Sequence, residues 1–185
     1  VYPNAGVRPL VDEEGEDATS VSRGYLLDLD TSAHPIMSVY GGKITTYRIL
    51  AEEVIDQLAS FFPGIKSPWT RTAKLPGGDF ELLETLFHDI ASRYAWLGSD
   101  LIARWQHSYG MLSFDILGEA TGLSDLGVRF GANLYQKEVD YLCTKEWART
   151  ADDILWRRSN LGFSFSGEER SALDKYIKQS FAALS

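Results

Sequence analysis

Short apolar runs in the first third of the chain have the character of β-strands. Leu, Ile, Val and Tyr predominate in residues 25–29 and 36–40, and turn-forming residues bound both runs. After the second run the apolar residues take helical spacing at Tyr47, Leu50, Ala51, Val54 and Leu58. This part of the sequence therefore predicts two strands followed by a helix that begins at about Lys43 and turns those five side chains inward.

Beyond residue 65 the pattern of apolar positions is mostly that of helices. A loop that contains Pro68, Pro76, Gly77 and Gly78 comes first. The periodicity then predicts helices over residues 81–94, 99–110, 113–119, 127–149 and 150–158, and a last helix that starts at Ser166. The fold class predicted is mainly α, with a helical C-terminal domain preceded by a short α/β segment of strands and one helix.

Capping residues set several of these helix ends. We expect Ser99 to cap the second helix of this region and Gly110 to stop it. Thr150 with Asp153, and Ser166 with Glu169, have the spacing of capping boxes. In the long segment 127–149 the residues predicted to lie in the core are Phe130, Leu134, Val139, Tyr141, Leu142 and Trp147.

Charge supports a domain boundary at the same place. Residues 1–65 carry 10 acidic and 4 basic side chains, whereas residues 66–185 carry 16 and 14. We therefore predict two domains, 1–65 and 66–185.

The net charge of -8 disfavours nucleic-acid binding, because it repels phosphates at long range. The lone Cys143 can form neither an internal disulfide nor a thiolate metal site, which favours a reducing, intracellular location.

Other common classes of site and segment lack support in the sequence. The three histidines show no metal-ligand spacing and have no evident nucleophile partner, so no metal site is predicted. No apolar run approaches the ~18 residues of a membrane span, and the N-terminus lacks the pattern of a signal peptide. Because the chain begins at Val1 rather than Met, we expect the sequence to belong to a longer protein.

The turn between the second strand and its helix carries the most chemical content. The sequence Gly41-Gly42-Lys43 lets another group approach the backbone closely, and the first amides of the helix lack intrahelical acceptors. With the helix dipole and the Lys43 charge, these amides would form an anion site. The pattern is neither a Walker A loop nor a GxGxxG fingerprint. An ordinary strand-to-helix turn is the alternative.

Two arginines are further candidates for binding an anion. Pro9 restricts the backbone of Arg8 to an extended conformation, and Arg23 precedes the first strand. Two guanidinium groups that converge could bind a phosphate monoester through paired hydrogen bonds. The alternative is that each arginine pairs with the acidic loop at residues 12–17.

Five segments together resemble a known enzyme family. They are GVRPL (6–10), SRGYLLDLD (22–30), SVYGGKITTYRILAEEVID (38–56), LPGGD (75–79) and EWARTADDILWRR (146–158). In this order they resemble the C-terminal portion of FAD-dependent, quinone-linked glycerol-3-phosphate dehydrogenase. The resemblance implies that an N-terminal FAD-binding domain with the GxGxxG fingerprint precedes this sequence in the parent protein.

The resemblance also implies roles for particular residues. It assigns substrate binding to Arg8, Arg23 and Lys43, and it includes Arg8 and Lys43 among the catalytic residues. It assigns FAD contacts to Gly41, Gly42, Lys43, Ile44 and Thr45. The expected reaction is oxidation of sn-glycerol 3-phosphate to dihydroxyacetone phosphate, with the flavin as hydride acceptor.

The resemblance further implies partners and a location. Electrons would pass to quinone, and the parent protein would be cytoplasmic and peripheral on the inner face of the cell membrane. A homodimer is a further expectation, and the isolated chain is expected to be inactive. Two alternatives stay open: a glycerol-phosphate oxidase that uses oxygen, and a stand-alone helical interaction module suggested by the Trp- and Arg-rich segment 146–158.

Overall fold

A computed structural model describes Gly6 and residues 24–181 of the chain. The chain divides into two compact units, Val1–Ala73 and Lys74–Ser185. The described residues are mainly helical, with short strands before the helices of the second unit, as the sequence predicts. The boundary between the units lies a little beyond the one that the change in charge and pattern suggests at residue 65.

The first unit contains an antiparallel hairpin and a helix. Strands β1 (Tyr25–Asp30) and β2 (Ile36–Gly41) pair in register from Tyr25 opposite Gly41 to Asp30 opposite Ile36. A 3-10 turn, Ile44–Thr46, leads into α1 (Tyr47–Leu58), and a second 3-10 turn, Ala59–Phe61, follows the helix. Both strands and the helix are therefore confirmed.

The inward face of α1 is narrower than the sequence predicts. Leu50, Val54 and Leu58, spaced four residues apart, are half-buried, but Tyr47 and Ala51 are exposed. The prediction was wrong for those two side chains. The half-buried face of α1 is a single row of side chains spaced four residues apart. No residue of α1 is fully buried.

The second unit is a helical assembly around an apolar core. Its helices are α2 (Leu83–Arg93), α3 (Ser99–Tyr109), α4 (Leu112–Leu117), α5 (Gln136–Lys145) and α6 (Gly167–Ser180). Helix α2 packs against α3. A π-helical segment, Asp153–Arg158, and 3-10 turns at Leu123–Leu126 and Leu161–Ser164 complete the unit. The largest fully buried side chains are Leu86, Ile90, Trp105, Leu117, Leu126, Leu134, Leu142, Ile154, Leu155, Leu173 and Ile177.

The long helix predicted over residues 127–149 was wrong in its first third. Strands β3 (Arg129–Gly131) and β4 (Leu134–Tyr135) form a small hairpin there, and α5 starts only at Gln136. Gly127 and Ala132 have positive φ values of 74° and 44°, which a continuous right-handed helix does not allow. Most of the predicted core residues are nevertheless buried, because hairpin and helix both turn apolar residues inward.

Trp147 is the exception among those core residues. Its side chain is 77% exposed and its φ is 56°, so the chain turns away from the core just after α5 ends. The amide of the next residue, Ala148, donates to the carbonyl oxygen of Leu142 and fixes this turn. The prediction that Trp147 lies in the core was therefore wrong.

Helix ends largely follow the predicted caps. Ser166 and Glu169 form a reciprocal capping box at the start of α6, and Thr150 and Asp153 do the same before the π-helical segment. Gly110, with a φ of 56°, ends α3. The prediction for Ser99 was wrong. Gly98 occupies the N-cap position, where its extended backbone lets its carbonyl oxygen accept the amides of Leu101 and Ile102.

A buried carboxylate ties α3 to α5. Glu138 is fully buried and accepts hydrogen bonds from Arg104 at 2.5 and 2.6 Å, from Trp105 Nε1 at 2.9 Å and from the Tyr109 hydroxyl at 2.6 Å. Arg104 also donates to the side chain and backbone oxygens of Asn133, in the turn of the β3–β4 hairpin. Burial and the adjacent carboxylate raise the pKa of Tyr109, so its hydroxyl stays protonated and donates.

Candidate functional site

The turn at Gly41–Gly42–Lys43 requires glycine for conformational reasons. Gly41 and Gly42 have φ values of 75° and 97°, in the left-handed region that favours glycine. A Cβ at Gly42 would meet Tyr25 Cβ at 3.6 Å and Leu50 Cδ2 at 3.7 Å, which are ordinary contacts. Backbone conformation rather than lack of space therefore determines the residue at position 42. The amide of Gly42 donates to Gly24 O at 2.9 Å and closes the turn against the start of β1.

Polar groups after the two glycines are free to bind a ligand. Lys43, Ile44 and Thr45 are exposed, and Ile44 is 88% exposed. Within the described part of the chain, the amides of these three residues have no hydrogen-bond acceptor and Lys43 has no ion pair. Three amides and one ammonium group at the start of a helix form a donor-only surface, which favours an anionic or electron-rich group.

Hydrogen bonds hold this surface in place. The Thr46 amide and hydroxyl both donate to Lys43 O, at 3.0 and 2.9 Å, and so fix the backbone of Lys43. The Tyr25 hydroxyl donates to Glu53 at 2.5 Å, which joins β1 to α1 and raises the pKa of Tyr25. The Tyr25–Glu53 contact could not be predicted from the sequence, because the residues are 28 positions apart and no short motif marks them.

A second cluster anchors the loop that follows α1. Arg48 Nη1 lies 3.0 Å from Glu52 Oε2 and 3.2 Å from Thr70 Oγ1, and the Thr70 hydroxyl donates to Glu52 at 2.5 Å. The hydrogen bond from Thr70, together with Arg48, lowers the pKa of Glu52. Arg48 is therefore committed to a carboxylate within its own unit, unlike Lys43.

The structure thus places the five residues predicted to contact a cofactor, Gly41 to Thr45, on one continuous turn. The other predicted site residues, Arg8 and Arg23, lie outside the described residues, and their roles stay predictions. The three histidines belong to no metal-ligating group within residues 24–181.

The acidic and basic residues of the segment 146–158 mostly satisfy one another. Asp153 accepts the amides of Arg149 and Thr150, each at 2.9 Å, and pairs with Arg157 Nη1 at 2.9 Å. Arg158 donates from Nε and Nη2 to Glu146 O, at 3.1 and 2.6 Å. The segment therefore forms an ion-paired corner between α5 and the π-helical segment, with Trp147 outside the core.

Comparison with known proteins identifies the class of the helical unit. Residues 68–182 match the family model described as the C-terminal domain of alpha-glycerophosphate oxidase. This match covers most of the chain, and the chain belongs to that family.

Particular relatives extend the likeness to nearly the whole chain. The chain is 45% identical over 177 residues to glycerol-3-phosphate dehydrogenase of Pseudomonas aeruginosa, covering 94% of this chain and 35% of that protein. It is 37% identical to aerobic glycerol-3-phosphate dehydrogenase of Escherichia coli, covering 96% and 36%. It is 39% identical to D-erythritol 1-phosphate dehydrogenase of Brucella abortus, covering 94% and 35%. The resemblance seen in the sequence is thus confirmed, and the chain spans about a third of the length of these curated relatives.

Among the helices that the structure describes, none combines the length and apolar composition needed to cross a bilayer.

Proposed function

We propose that this chain forms part of an FAD-dependent enzyme that oxidises sn-glycerol 3-phosphate to dihydroxyacetone phosphate. The observation that carries the proposal is the similarity, over 94% and 96% of the chain, to two bacterial glycerol-3-phosphate dehydrogenases. At this coverage the similar region includes both the glycine turn and the helical unit. Because those relatives are about three times longer, the activity belongs to the whole protein.

The described residues fit a flavin at the glycine turn. Two glycines with positive φ bring the backbone to the surface, and three amides without acceptors follow beside the free Lys43 ammonium group. Gly41, Gly42, Lys43, Ile44 and Thr45 are the residues that would hold the group. When bound, FAD supplies the acceptor for the hydride that leaves C2 of the substrate. The amides and Lys43 would stabilise negative charge at this end of α1, because they are donors that need no rearrangement.

Substrate recognition is assigned to arginine side chains. We propose that Arg8 and Arg23 bind the phosphate or a hydroxyl group, with Lys43 beside them. Guanidinium groups suit this role because they present paired donors and keep their charge at neutral pH. The likeness to D-erythritol 1-phosphate dehydrogenase makes a longer polyol phosphate the second candidate substrate. The two candidates are separated by assaying sn-glycerol 3-phosphate and D-erythritol 1-phosphate under one condition. The compound with the higher kcat/KM is the substrate.

Two substitutions in the full-length enzyme test the site. Arg8→Ala should raise KM strongly, because a phosphate ligand is lost, and unchanged kinetics would remove Arg8 from the site. Lys43→Met should slow flavin reduction measured by stopped-flow absorbance. Lys74→Met is the matched control, since Lys74 is also exposed but belongs to the helical unit. Equal flavin reduction in the Lys43→Met variant and the parent enzyme would contradict the assignment.

The electron acceptor is proposed to be quinone at the cytoplasmic face of the membrane. Turnover with a soluble quinone analogue and retention on lipid vesicles would support this proposal. Peroxide formed in proportion to substrate oxidised would instead favour the oxidase, in line with the name of the matching family. We also propose that the chain alone is inactive, because most of an FAD site requires dinucleotide-binding strands. Dye reduction by the isolated chain with added FAD would contradict that proposal.

A second candidate function, an interaction module, rests on exposed aromatic residues of the helical unit. Trp147 is 77% exposed and Phe163 is 69% exposed, and both lie near the Arg-rich corner. Tryptophan and arginine are enriched in interface hot spots. Light scattering that gives the monomer mass at every concentration, for both the chain and the full-length protein, would exclude the homodimer form of this function.

A further inference from the structure

A small cavity in the helical unit is lined by two arginines and by side chains that donate hydrogen bonds. Its volume is about 330 Å³, and its walls are Arg104, Ser108, Arg158, Ser159, Asn160 and Leu161. The arginines come from α3 and from the end of the π-helical segment. No aspartate or glutamate lines the cavity. The site therefore lies entirely in the second unit and shares no residue with the glycine turn.

Arg104 is held rigidly by hydrogen bonds to Glu138 and Asn133. Glu138 accepts from both of its Nη atoms, and Asn133 accepts from Nε and Nη2. These four bonds use four of the five N–H groups of a guanidinium, so one remains for a ligand. The side chain is 17% exposed. Its position is therefore fixed before any ligand arrives.

Arg158 keeps more of its donors free. Nε and Nη2 both donate to Glu146 O, which fixes the plane of the guanidinium. Nη1 lies 3.9 Å from Asp153 Oδ1, beyond hydrogen-bond distance. Two bonds out of five N–H groups leave three donors available.

Arg158 pairs with Asp153 at 3.9 Å and shares this carboxylate with closer partners. Asp153 binds the amides of Arg149 and Thr150 and pairs with Arg157 at 2.9 Å. Burial raises the pKa of Glu146, and the Arg158 charge acts on it in the opposite direction. A partly buried guanidinium whose ion pair is long and shared retains attraction for an anion from solution.

Neutral donors complete the wall. Among the described residues, neither the Ser108 hydroxyl nor the Asn160 amide forms a side-chain hydrogen bond, whereas Ser159 Oγ is used by Ile154 O and the Leu161 amide. Within the described residues, the side chains that line the cavity carry four N–H groups without hydrogen-bond acceptors, one hydroxyl and one amide, from two segments of the chain, α3 and residues 158–161. Guanidinium N–H groups with neutral donors beside them suit the oxygens of a phosphate group.

We propose that this cavity binds a phosphate group, free or as a small monoester, at a site separate from the one assigned to the oxidised substrate. Arg158 supplies the charge, because Glu138 already neutralises Arg104, and Arg104, Ser108 and Asn160 supply further hydrogen-bond donors. The net charge of -8 opposes long-range attraction of anions, so the expected affinity is millimolar. The volume of about 330 Å³ leaves space for a short organic group beyond the phosphate.

The test is an NMR titration of the 185-residue chain, observing the arginine Nε–H signals. Inorganic phosphate and methyl phosphate are the probes, and sodium chloride at equal ionic strength is the reference. Saturable shifts at Arg104 and Arg158 with either probe support the site, and the tighter probe shows whether the free ion or the ester is preferred. Shifts no larger than those with chloride would overturn the proposal.

Adjacent arginines provide a matched pair of variants. Arg158→Gln should weaken phosphate binding about tenfold, as expected for loss of charged hydrogen bonds. Arg157→Gln removes the same charge one residue away, from a side chain that is 57% exposed and does not line the cavity, and should change affinity by less than about twofold. If both variants weaken phosphate binding equally, the effect comes from the overall charge of the chain, and the proposed site is overturned.

Ser108→Ala keeps the proposal testable if Arg158→Gln does not fold. It deletes one hydroxyl from the cavity wall and leaves both guanidinium groups in place. The expected loss is about threefold, the value of one hydrogen bond. Affinity identical to that of the parent chain, with the parent spectrum otherwise preserved, would count against the proposed donor set.

Discussion

Arg104 and Glu138, 34 residues apart in the sequence, form an ion pair at 2.5 Å in which the carboxylate is completely buried. Glu138 also accepts from Trp105 and Tyr109, so its oxygens are satisfied without water. Such a pair contributes little to net stability compared with apolar residues of equal size, but removing one partner leaves the others unpaired in a medium of low dielectric constant.

We therefore predict that Glu138→Ala destabilises the chain by about 3–5 kcal/mol, since a guanidinium, an indole and a phenol lose their acceptor together. Urea denaturation followed by circular dichroism measures the change. The control is Glu119→Ala, because Glu119 is 98% exposed and lies 3.7 Å from Arg93. Its loss should cost less than about 1 kcal/mol. Similar values for the two variants would contradict the role of the buried network.

Gly77, which precedes α2, and Gly110, which ends α3, lie in close backbone contact. A Cβ at Gly77 would lie 2.3 Å from Tyr109 O, and one at Gly110 would lie 2.1 Å from Gly77 O. Both residues have positive φ, and the Met111 amide donates to Gly77 O at 2.9 Å. We predict that Gly77→Ala and Gly110→Ala each lower the free energy of unfolding by about 2 kcal/mol or more.

The control for this pair is Gly167→Ala. Gly167 is the first residue of α6, and a Cβ there would meet nothing within 4 Å. Because alanine reduces the freedom of the unfolded chain, this change should be neutral or stabilise by up to about 1 kcal/mol. Thermal denaturation of the three variants under one condition checks the order. A larger loss from Gly167→Ala than from the other two would refute the steric argument.

Cys143 should be chemically inert in the folded chain. Its side chain is 1% exposed, and burial raises the pKa of its thiol to about 11. The thiolate is the reactive form, so at pH 8 both access and ionisation are suppressed. We expect modification by a disulfide reagent to be slow in buffer and fast in denaturing urea. Rapid modification of the folded chain, at the rate of a free cysteine peptide, would show that the site opens.

Asp153 should make stability depend on pH in the acidic range. Burial alone would raise its pKa, but hydrogen bonds from the Arg149 and Thr150 amides outweigh that effect and lower it. A carboxyl group with a lower pKa in the folded state stabilises the fold above its unfolded pKa, and the contribution is lost as the pH falls through the folded value. Asp153→Asn should therefore cost about 2 kcal/mol at pH 7 and progressively less below about pH 4.

Denaturant midpoints at several pH values test this prediction, with Asp89→Asn as the control. Asp89 lies on the exposed side of α2 and should change stability by less than about 0.5 kcal/mol. A deficit in the Asp153→Asn variant that stays constant from pH 7 to strongly acidic solution would mean that packing, rather than ionisation, sets its cost.

Local signals in the sequence predicted most of the elements, because these elements depend on neighbouring residues. The short apolar runs of β1 and β2 and the capping boxes of Thr150 and Ser166 are short-range patterns, and the structure has them where expected. The glycine turn is likewise contiguous in sequence. Its five cofactor candidates therefore fall on one surface without any need for long-range information.

Other features depended on contacts or backbone conformations that periodicity does not encode. The β3–β4 hairpin could not be distinguished from a helix in the sequence, because the spacing of Phe130, Leu134 and Val139 suits the inner side of a helix as well. Trp147 is apolar, yet its left-handed backbone turns it outward. The partners of Glu53 and Glu138 lie 28 or more residues away and carry no motif. The roles of Arg8 and Arg23 stay predictions.

The contact between Gly77 and Gly110 also limits which mutations the gene can accumulate. Every codon change that replaces a glycine adds at least a Cβ, so neither position has a conservative neighbour in the genetic code. A second mutation cannot compensate by making the facing residue smaller, because backbone atoms are what the new Cβ would meet. Substitutions at these two codons should therefore be strongly depleted relative to synonymous changes, and a deep mutational scan selected for folding would show both positions among the least tolerant in the helical unit.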